Sequence, residues 1–278
     1  MKKNNVMWLL LFGLMAVFTL GTKVQAATPT IYEFKSSYDS SGQTYKGMDV
    51  TGDGKNDTVK VKFTGYKYNF AGACKIYVNG KQVFTEKDGY GRTWSIGLIR
   101  LENGKVLFDV RSGQESCSDC KHKLYVYKKG KLKMVCDLQK NFEKYSSHYD
   151  VEVTGVEGNK VQVEAYAMFY VTGCIRYNME FVYKNGKMKP TSNQYDIIYT
   201  SGSPEWTVAK KIKVYKSAGS KVKVFTLKKG EKVYLDKVIH KKNKPYIKVR
   251  KKSGKVGYIP CPTKYSYPYY FKECMFAG

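Results

Sequence analysis

Short runs of β-branched and aromatic residues, separated by tight turns, fill nearly the whole chain of 278 residues. Four pairs carry the turn signal: Asn79-Gly80, Asn103-Gly104, Lys129-Gly130 and Asn185-Gly186. An Asn-Gly pair suits the type I′ turn of a hairpin, because both residues tolerate positive φ. Helical periodicity is nearly absent beyond the N-terminal segment, with one weak helical turn around 138–144. Strands at a spacing of about 8 to 12 residues predict an all-β fold.

Composition divides this β-rich chain into several parts. Residues 27–199 are expected to form an antiparallel β domain, either a sandwich or a propeller-like sheet. Residues 200–206 contain Ser, Gly and Pro and predict a linker. Residues 207–260 form a second β module, and residues 261–278 form an aromatic tail.

Charge is concentrated in the second module. The chain has 49 Lys or Arg against 23 Asp or Glu, a net charge of +26. Residues 207–259 hold eighteen of the basic residues but only two acids, Glu231 and Asp236, and therefore carry +16 of that charge. This density predicts a polyanionic partner, which could be nucleic acid, anionic lipid or an acidic wall polymer.

The N-terminal segment selects among these partners. Lys2 and Lys3 precede an apolar run over 6–20, and Val24-Gln25-Ala26 has the form of a cleavage site. This pattern predicts a signal peptide over 1–26 and a secreted protein. Fifteen apolar residues fall short of the about 20 that span a bilayer, which favours cleavage over a retained membrane anchor. No second long apolar run follows, so we expect no stable membrane span after cleavage. Export makes nucleic acid the less natural partner and favours the cell wall.

An acidic loop near the start of the first β domain has the spacing of a calcium site. A hard cation needs several oxygen ligands from one tight loop, with a glycine at the sharp turn. Gly54 holds that sixth position, and Lys60 stands where a helical calcium hand has its bidentate Glu. The candidate ligands are Asp49, Thr51, Asp53, Lys55 and Asp57. Lys55 would contribute its backbone carbonyl oxygen.

The D-x-x-x-D-G-x-x-D pattern of this loop resembles the loops of FG-GAP-type β repeats. That resemblance implies bound Ca²⁺ at the start of a strand, although Thr51 replaces a usual Asp or Asn. The other interpretation is an Asp-Gly turn whose carboxylates lie in water.

Catalytic and redox motifs receive little support from the sequence. Cys117 and Cys120 form a C-x-x-C followed by His122, but no second ligand pair completes a zinc site, so a disulfide or plain loop cysteines are favoured. Cys261 and Cys274 could bridge the tail. No catalytic residue is assigned, and the chain is interpreted as non-enzymatic.

The second module has five strand-like segments in order. They are Lys211–Tyr215, Val222–Leu227, Glu231–Ile239, Tyr246–Arg250 and Val256–Ile259. Together with Gly254 and the Gly257-Tyr258-Ile259 ending, this order closely resembles the bacterial SH3-type domain (SH3b). The sequence departs from the family pattern at two points: Tyr246 stands where Trp is common, and a Lys-rich insertion precedes it. His240, in this Lys-rich region, is interpreted as a solvated turn residue.

The SH3-type resemblance implies a small β barrel that binds peptidoglycan or an anionic cell-wall polymer without catalysis. We expect Tyr215, Tyr246 and Tyr258 to line its groove; the other interpretation is strand packing. Two alternative functions stay open. One is a secreted wall-degrading or glycan-active enzyme whose first β domain is catalytic, and the other is a polyanion or nucleic-acid binder whose aromatic residues stack on bases.

Overall fold

The computed structural model describes residues 27–35, 42–67, 70–87, 93–113, 121–143, 145–146, 149–199, 204–262, 264 and 267–274. The predicted signal peptide over 1–26 lies outside the described residues, as do Cys117, Cys120 and His148.

Every regular element of the described residues is a β-strand except one short helix, which confirms the all-β prediction. The strands of the first part are β1 Thr30–Lys35, β2 Gln43–Met48, β3 Asp57–Lys67, β4 Phe70–Val78, β5 Lys81–Lys87, β6 Thr93–Arg100, β7 Val106–Gly113, β8 Lys121–Lys128 and β9 Lys131–Asp137. After helix α1 Leu138–Glu143 come β10 Tyr149–Glu157, β11 Lys160–Phe169, β12 Gly173–Lys184, β13 Lys187–Pro190 and β14 Gln194–Ile198. The last strands are β15 Glu205–Thr207, β16 Ile212–Tyr215, β17 Lys223–Leu227, β18 Lys232–Lys241, β19 Lys244–Lys251 and β20 Val256–Pro260.

Three antiparallel sheets organise these strands. One has four strands in the order β2-β3-β4-β5, and a second has five in the order β1-β6-β7-β8-β9. The third has eleven strands along the path β10-β11-β12-β14-β18-β19-β20-β16-β17, with β13 beside β12 and β15 beside β18.

The five-stranded sheet is buried on both faces. Successive side chains of a strand point to opposite faces. Leu98 and Phe108 accordingly lie in a core shared with the four-stranded sheet, whereas their sequence neighbours Ile99 and Leu107 lie in a second core shared with β10, β11 and β12. The first β domain is therefore a layered antiparallel structure of the sandwich kind.

The C-terminal module contains all five predicted strands, now β16 to β20. Their inward residues, among them Val214, Ile247 and Ile259, are buried on one side of the sheet. Among the described residues no ladder joins β17 to β15, so the strands do not close into the barrel that the sequence predicted. The turn before β18 instead meets the end of β15, where Val208 N donates to Glu231 O at 2.9 Å.

Strand β14 connects the two parts of the chain. It pairs with β12 through Ile198 and Arg176, and with β18 through Asp196 and Lys237. The second core accordingly runs from the first β domain into the C-terminal module. The predicted linker over 200–206 overlaps β15 at its last two residues, while 200–203 lie outside the described residues.

The described part of the C-terminal tail lies on the end of β15. Ala209 N donates to Tyr270 O at 2.9 Å, and Phe271 forms an isolated bridge with Val208. The Phe271 ring is fully buried and meets Trp206 edge to face. Aromatic residues of the tail therefore complete the core of the module.

Candidate functional site

The three tyrosines chosen from the sequence line one groove. Tyr215, Tyr246 and Tyr258 surround a cavity of about 340 Å³ on the outer face of the C-terminal module. Each tyrosine is half-buried, so part of every ring is accessible to a ligand. The remaining lining residues are Ser217, Gly219, Ser220, Lys221 and Pro260.

Strand alternation explains why the tyrosines face outward. Each follows or precedes an inward residue, and Val214, Ile247 and Ile259 take the core positions. The ladders then place Tyr215 opposite Tyr258, and Tyr246 opposite Pro260. Adjacent strands lie about 4.8 Å apart, close enough for these rings to form one surface.

Gly257 lets strands β16 and β20 approach closely beneath the groove. A Cβ atom built at this position would overlap the Val214 side chain and lie 3.1 Å from the Tyr215 carbonyl oxygen. The glycine of the Gly-Tyr-Ile ending therefore has a steric reason, which is the close packing of the two strands that carry Tyr215 and Tyr258.

The loop over 216–222 forms one wall of the groove. Its turn is fixed by Ser220 N donating to Ser217 O at 3.0 Å and by Val222 N donating to Ser220 Oγ at 3.0 Å. Lys241 of β18 anchors the loop, since its Nζ donates to Ala218 O at 2.8 Å. The sequence predicted this loop of small residues but did not show that it would face the tyrosines.

The acidic residues of the C-terminal module, and those of the adjoining strands β14 and β15, are not part of the groove lining. They pair with basic residues of β18, β19 and the turn that follows. The pairs are Glu205 with Lys232 at 3.2 Å and with Lys252 at 2.7 Å, Glu231 with Lys251 at 2.7 Å, Asp236 with Arg250 at 3.1 Å, and Asp196 with Lys237 at 2.7 Å. Hydrogen bonds from Lys252 and Lys232 lower the pKa of Glu205 to about 2.

The groove itself keeps its positive charge. Its lining includes Lys221 and no Asp or Glu. Cross-strand pairing adds two lysines in one row over the sheet: Lys223 lies opposite Tyr215, and Lys248 lies opposite Tyr258. Neither lysine has an ion pair with a carboxylate among the described residues. Within this row Tyr215 and Tyr258 are thus flanked by two lysines, and Tyr246 borders the same cavity.

The acidic loop directs its carboxylates to its own backbone. Asp49 accepts hydrogen bonds from Gly52 N at 2.6 Å and Gly54 N at 2.7 Å. Asp57 is almost fully buried and accepts from two amides, Val50 N and Thr51 N, at 2.7 Å each. Burial would raise the pKa of Asp57, but these hydrogen bonds outweigh it and the pKa is lowered.

The remaining predicted calcium ligands do not join a carboxylate cluster. Asp53 accepts from Lys55 N at 2.9 Å, and the Thr51 hydroxyl donates to Asp57 at 3.4 Å. Across the described ranges no three His, Cys, Asp or Glu side chains are grouped as a metal site. Calcium binding stays a prediction, which calorimetric titration tests: binding heat at millimolar calcium would support it, and its absence would refute it.

Two predictions about single residues are wrong: the disulfide between Cys261 and Cys274, and the solvent exposure of His240. Cys261 and Cys274 are free thiols, so the proposed tail bridge is not formed; Cys274 Sγ instead lies 3.4 Å from Val171 O. His240 is buried rather than solvated, because its ring stacks on Tyr145 at a centroid distance of 3.7 Å. None of these three side chains lines the groove.

No protein-family model, curated protein or solved structure matches the chain. The SH3-type and FG-GAP-type resemblances therefore rest on the sequence motifs. Within the described ranges, no helix has the length and apolarity to cross a membrane.

Proposed function

We propose that the chain is an exported, cell-wall-associated binding protein whose C-terminal module takes peptidoglycan or an anionic wall polymer in the tyrosine groove. The observation that carries the proposal is the convergence of Tyr215, Tyr246 and Tyr258 on one cavity whose lining has no acid. Half-exposed tyrosines offer flat apolar faces with hydroxyl groups, which suit sugar rings and peptide planes. The sequence over 1–26 supports export.

The positive module supports association with a wall that carries negative charge. The acids pair with lysines and Arg250 outside the groove lining, whereas Lys223 and Lys248, beside the tyrosines, have no ion pair among the described residues. Such a surface attracts a polyanion at long range and weakens as salt screens it. The rings would then supply short-range recognition that salt does not remove.

Co-sedimentation of the mature protein with purified bacterial sacculi tests the proposal. We expect binding that falls about tenfold in Tyr246→Leu, since loss of an interface aromatic residue commonly costs more than 1 kcal/mol. Tyr234→Leu is the matched control, because Tyr234 lies on β18 of the same module and contacts Arg250 and Glu205 rather than the groove.

Two outcomes would contradict the proposal. One is recovery of the wild-type protein in the unbound fraction with intact sacculi at low salt. The other is an equal loss of binding in Tyr246→Leu and Tyr234→Leu while both remain folded, because that would place recognition outside the groove.

A further inference from the structure

One cross-strand row of residues, of which the two tyrosines line the groove, has a regular composition. Strands β17, β16, β20 and β19 are neighbours in that order. Their paired residues on the outer face are Lys223, Tyr215, Tyr258 and Lys248. Three inter-strand steps of about 4.8 Å separate the two lysine Cα atoms by roughly 14 Å. Two aromatic faces therefore lie between two cationic sites.

The wall of the groove adds donors to this row. Lys221 contributes an ammonium group, and Ser217 and Ser220 contribute hydroxyls. The Ser220 oxygen already accepts the Val222 amide, which leaves its own proton to donate outward. Every charged group of the lining is thus cationic, and the arrangement favours a ligand rich in acceptor oxygens over a cationic or purely apolar one.

We infer that the groove ligand is a linear wall polymer of polyol or sugar units joined by phosphodiesters, which crosses the strands with one phosphate beside Lys223 and another beside Lys248. This inference rests on the proposed wall-binding function and narrows its ligand. Phosphate suits an ammonium group, which acts as a point charge without the planar geometry of Arg. The units between the phosphates lie on Tyr215 and Tyr258, where C–H groups meet the ring faces.

Lys237 marks the end of the cationic row. It follows Lys248 across the β18–β19 ladder, but its Nζ is held 2.7 Å from Asp196. The bound segment therefore covers four strands, from β17 to β19, and does not extend toward β14.

Fluorescence anisotropy with a labelled polyol-phosphate polymer tests the inference at several salt concentrations. In nucleic-acid complexes each phosphate that the protein neutralises adds about 0.7 to 0.9 to the magnitude of the slope of log affinity against log salt, and we expect a similar increment for a polyol-phosphate chain. We expect Lys223→Gln and Lys248→Gln each to reduce that slope by about one unit or slightly less. Lys252→Gln, whose lysine pairs with Glu205, removes the same formal charge and should leave the slope unchanged.

Comparison probes decide the chemistry of the ligand. We expect a uronate polymer of equal length, a neutral glucan and a single-stranded oligonucleotide to bind at least tenfold more weakly. Equal binding of the uronate polymer or the oligonucleotide would overturn the choice of a wall phosphodiester. Equal slopes in all three lysine variants would overturn the site.

Sacculi separate failure of this inference from failure of the proposed function. Sacculi stripped of their phosphate polymers should bind the protein at least tenfold more weakly than intact sacculi. If stripped and intact sacculi bind it equally, the wall-binding function stands and the phosphodiester inference fails. If neither binds it, both fail.

Discussion

The protonated side chain of His122 is expected to link two sheets by hydrogen bonds, so its removal should destabilise the fold in a pH-dependent way. The ring is 2% exposed. Its Nδ1 lies 2.7 Å from Val151 O and its Nε2 lies 2.7 Å from Asp109 Oδ1. A carbonyl and a carboxylate both accept hydrogen bonds, and only the imidazolium form donates from both nitrogens. The protonated ring therefore joins β8 and β7 to β10.

The pKa direction agrees with this geometry. Burial would lower the pKa of His122, but the charge and hydrogen bond of Asp109 outweigh it, and the pKa is raised above its usual 6.5 despite an opposing charge on Arg111. Because the folded pKa exceeds the unfolded one, the stabilisation is fully present below about pH 6.5 and is lost as pH rises through the folded pKa. Asp150, which faces the same region from β10, is paired with Arg111 at 2.9 Å.

The magnitude follows from what His122→Leu leaves behind. Removing one partner of a buried charge pair costs about 3–5 kcal/mol. Asp109 keeps 17% of its side-chain surface exposed, so water relieves part of that cost and we expect about 3 kcal/mol. For a chain of this size, that corresponds to a Tm decrease of roughly 6–12 °C.

Urea unfolding of wild type and His122→Leu between pH 5.5 and 9 measures this effect. The difference in unfolding free energy should be largest at low pH and should shrink as pH rises. Asp109→Asn keeps an acceptor without the charge and should show a smaller pH dependence than wild type. If the unfolding free energies of wild type and His122→Leu changed in parallel with pH, the protonated link between the sheets would be refuted.

Three further substitutions test other parts of the fold. Asp57→Ala should lower the unfolding free energy by about 1.5–3 kcal/mol at pH 7, because it removes the charged acceptor for two loop amides and for Asn79 Nδ2 at 2.5 Å; urea unfolding that matches wild type would contradict this. Gly257→Ala should cost about 1–3 kcal/mol by crowding Val214, with a lower Tm as the readout and an unchanged Tm as the opposing result. Phe271→Ala should cost about 3–5 kcal/mol, and a neutral effect in calorimetry would show that the tail is not part of the core.

Local chemistry made the strands and turns predictable from the sequence. Asn79 and Gly80 have φ values of 50° and 80°, as their hairpin turn requires, and Asn185 with Gly186 repeats this geometry. The weak helical turn was also found, as α1. These features depend on neighbouring residues, whose preferences the sequence displays directly.

Long-range pairing was not predictable. The ladder of β14 with β18 joins Asp196 to Lys237 and merges the two parts of the chain into one sheet, but no local signal in either strand specifies the partner. The predicted solvent exposure of His240 is wrong for the same reason. Its Lys-rich sequence neighbours indicate an exposed turn, whereas Tyr145 and Tyr177 pack against its ring from positions distant in sequence.

The site was predicted in its aromatic part and missed in its electrostatic part. The resemblance to the SH3-type domain selected the three tyrosines that share the groove. The total charge of the module was visible, but its division into a paired region and an unpaired row is a property of the strand register. Cross-strand pairing, which the sequence does not display, places Lys223 beside Tyr215 and Lys248 beside Tyr258 and makes both lysines candidate ligand-binding residues.

Hydrogen–deuterium exchange of the mature protein, with and without saturating polyol-phosphate polymer, tests the central claim that the tyrosine groove is the binding surface. We predict added protection confined to three segments, namely 215–223, 246–248 and 258–260. Protection confined to the first β domain, or spread evenly over all lysine-rich turns, would contradict the claim that this groove recognises the wall.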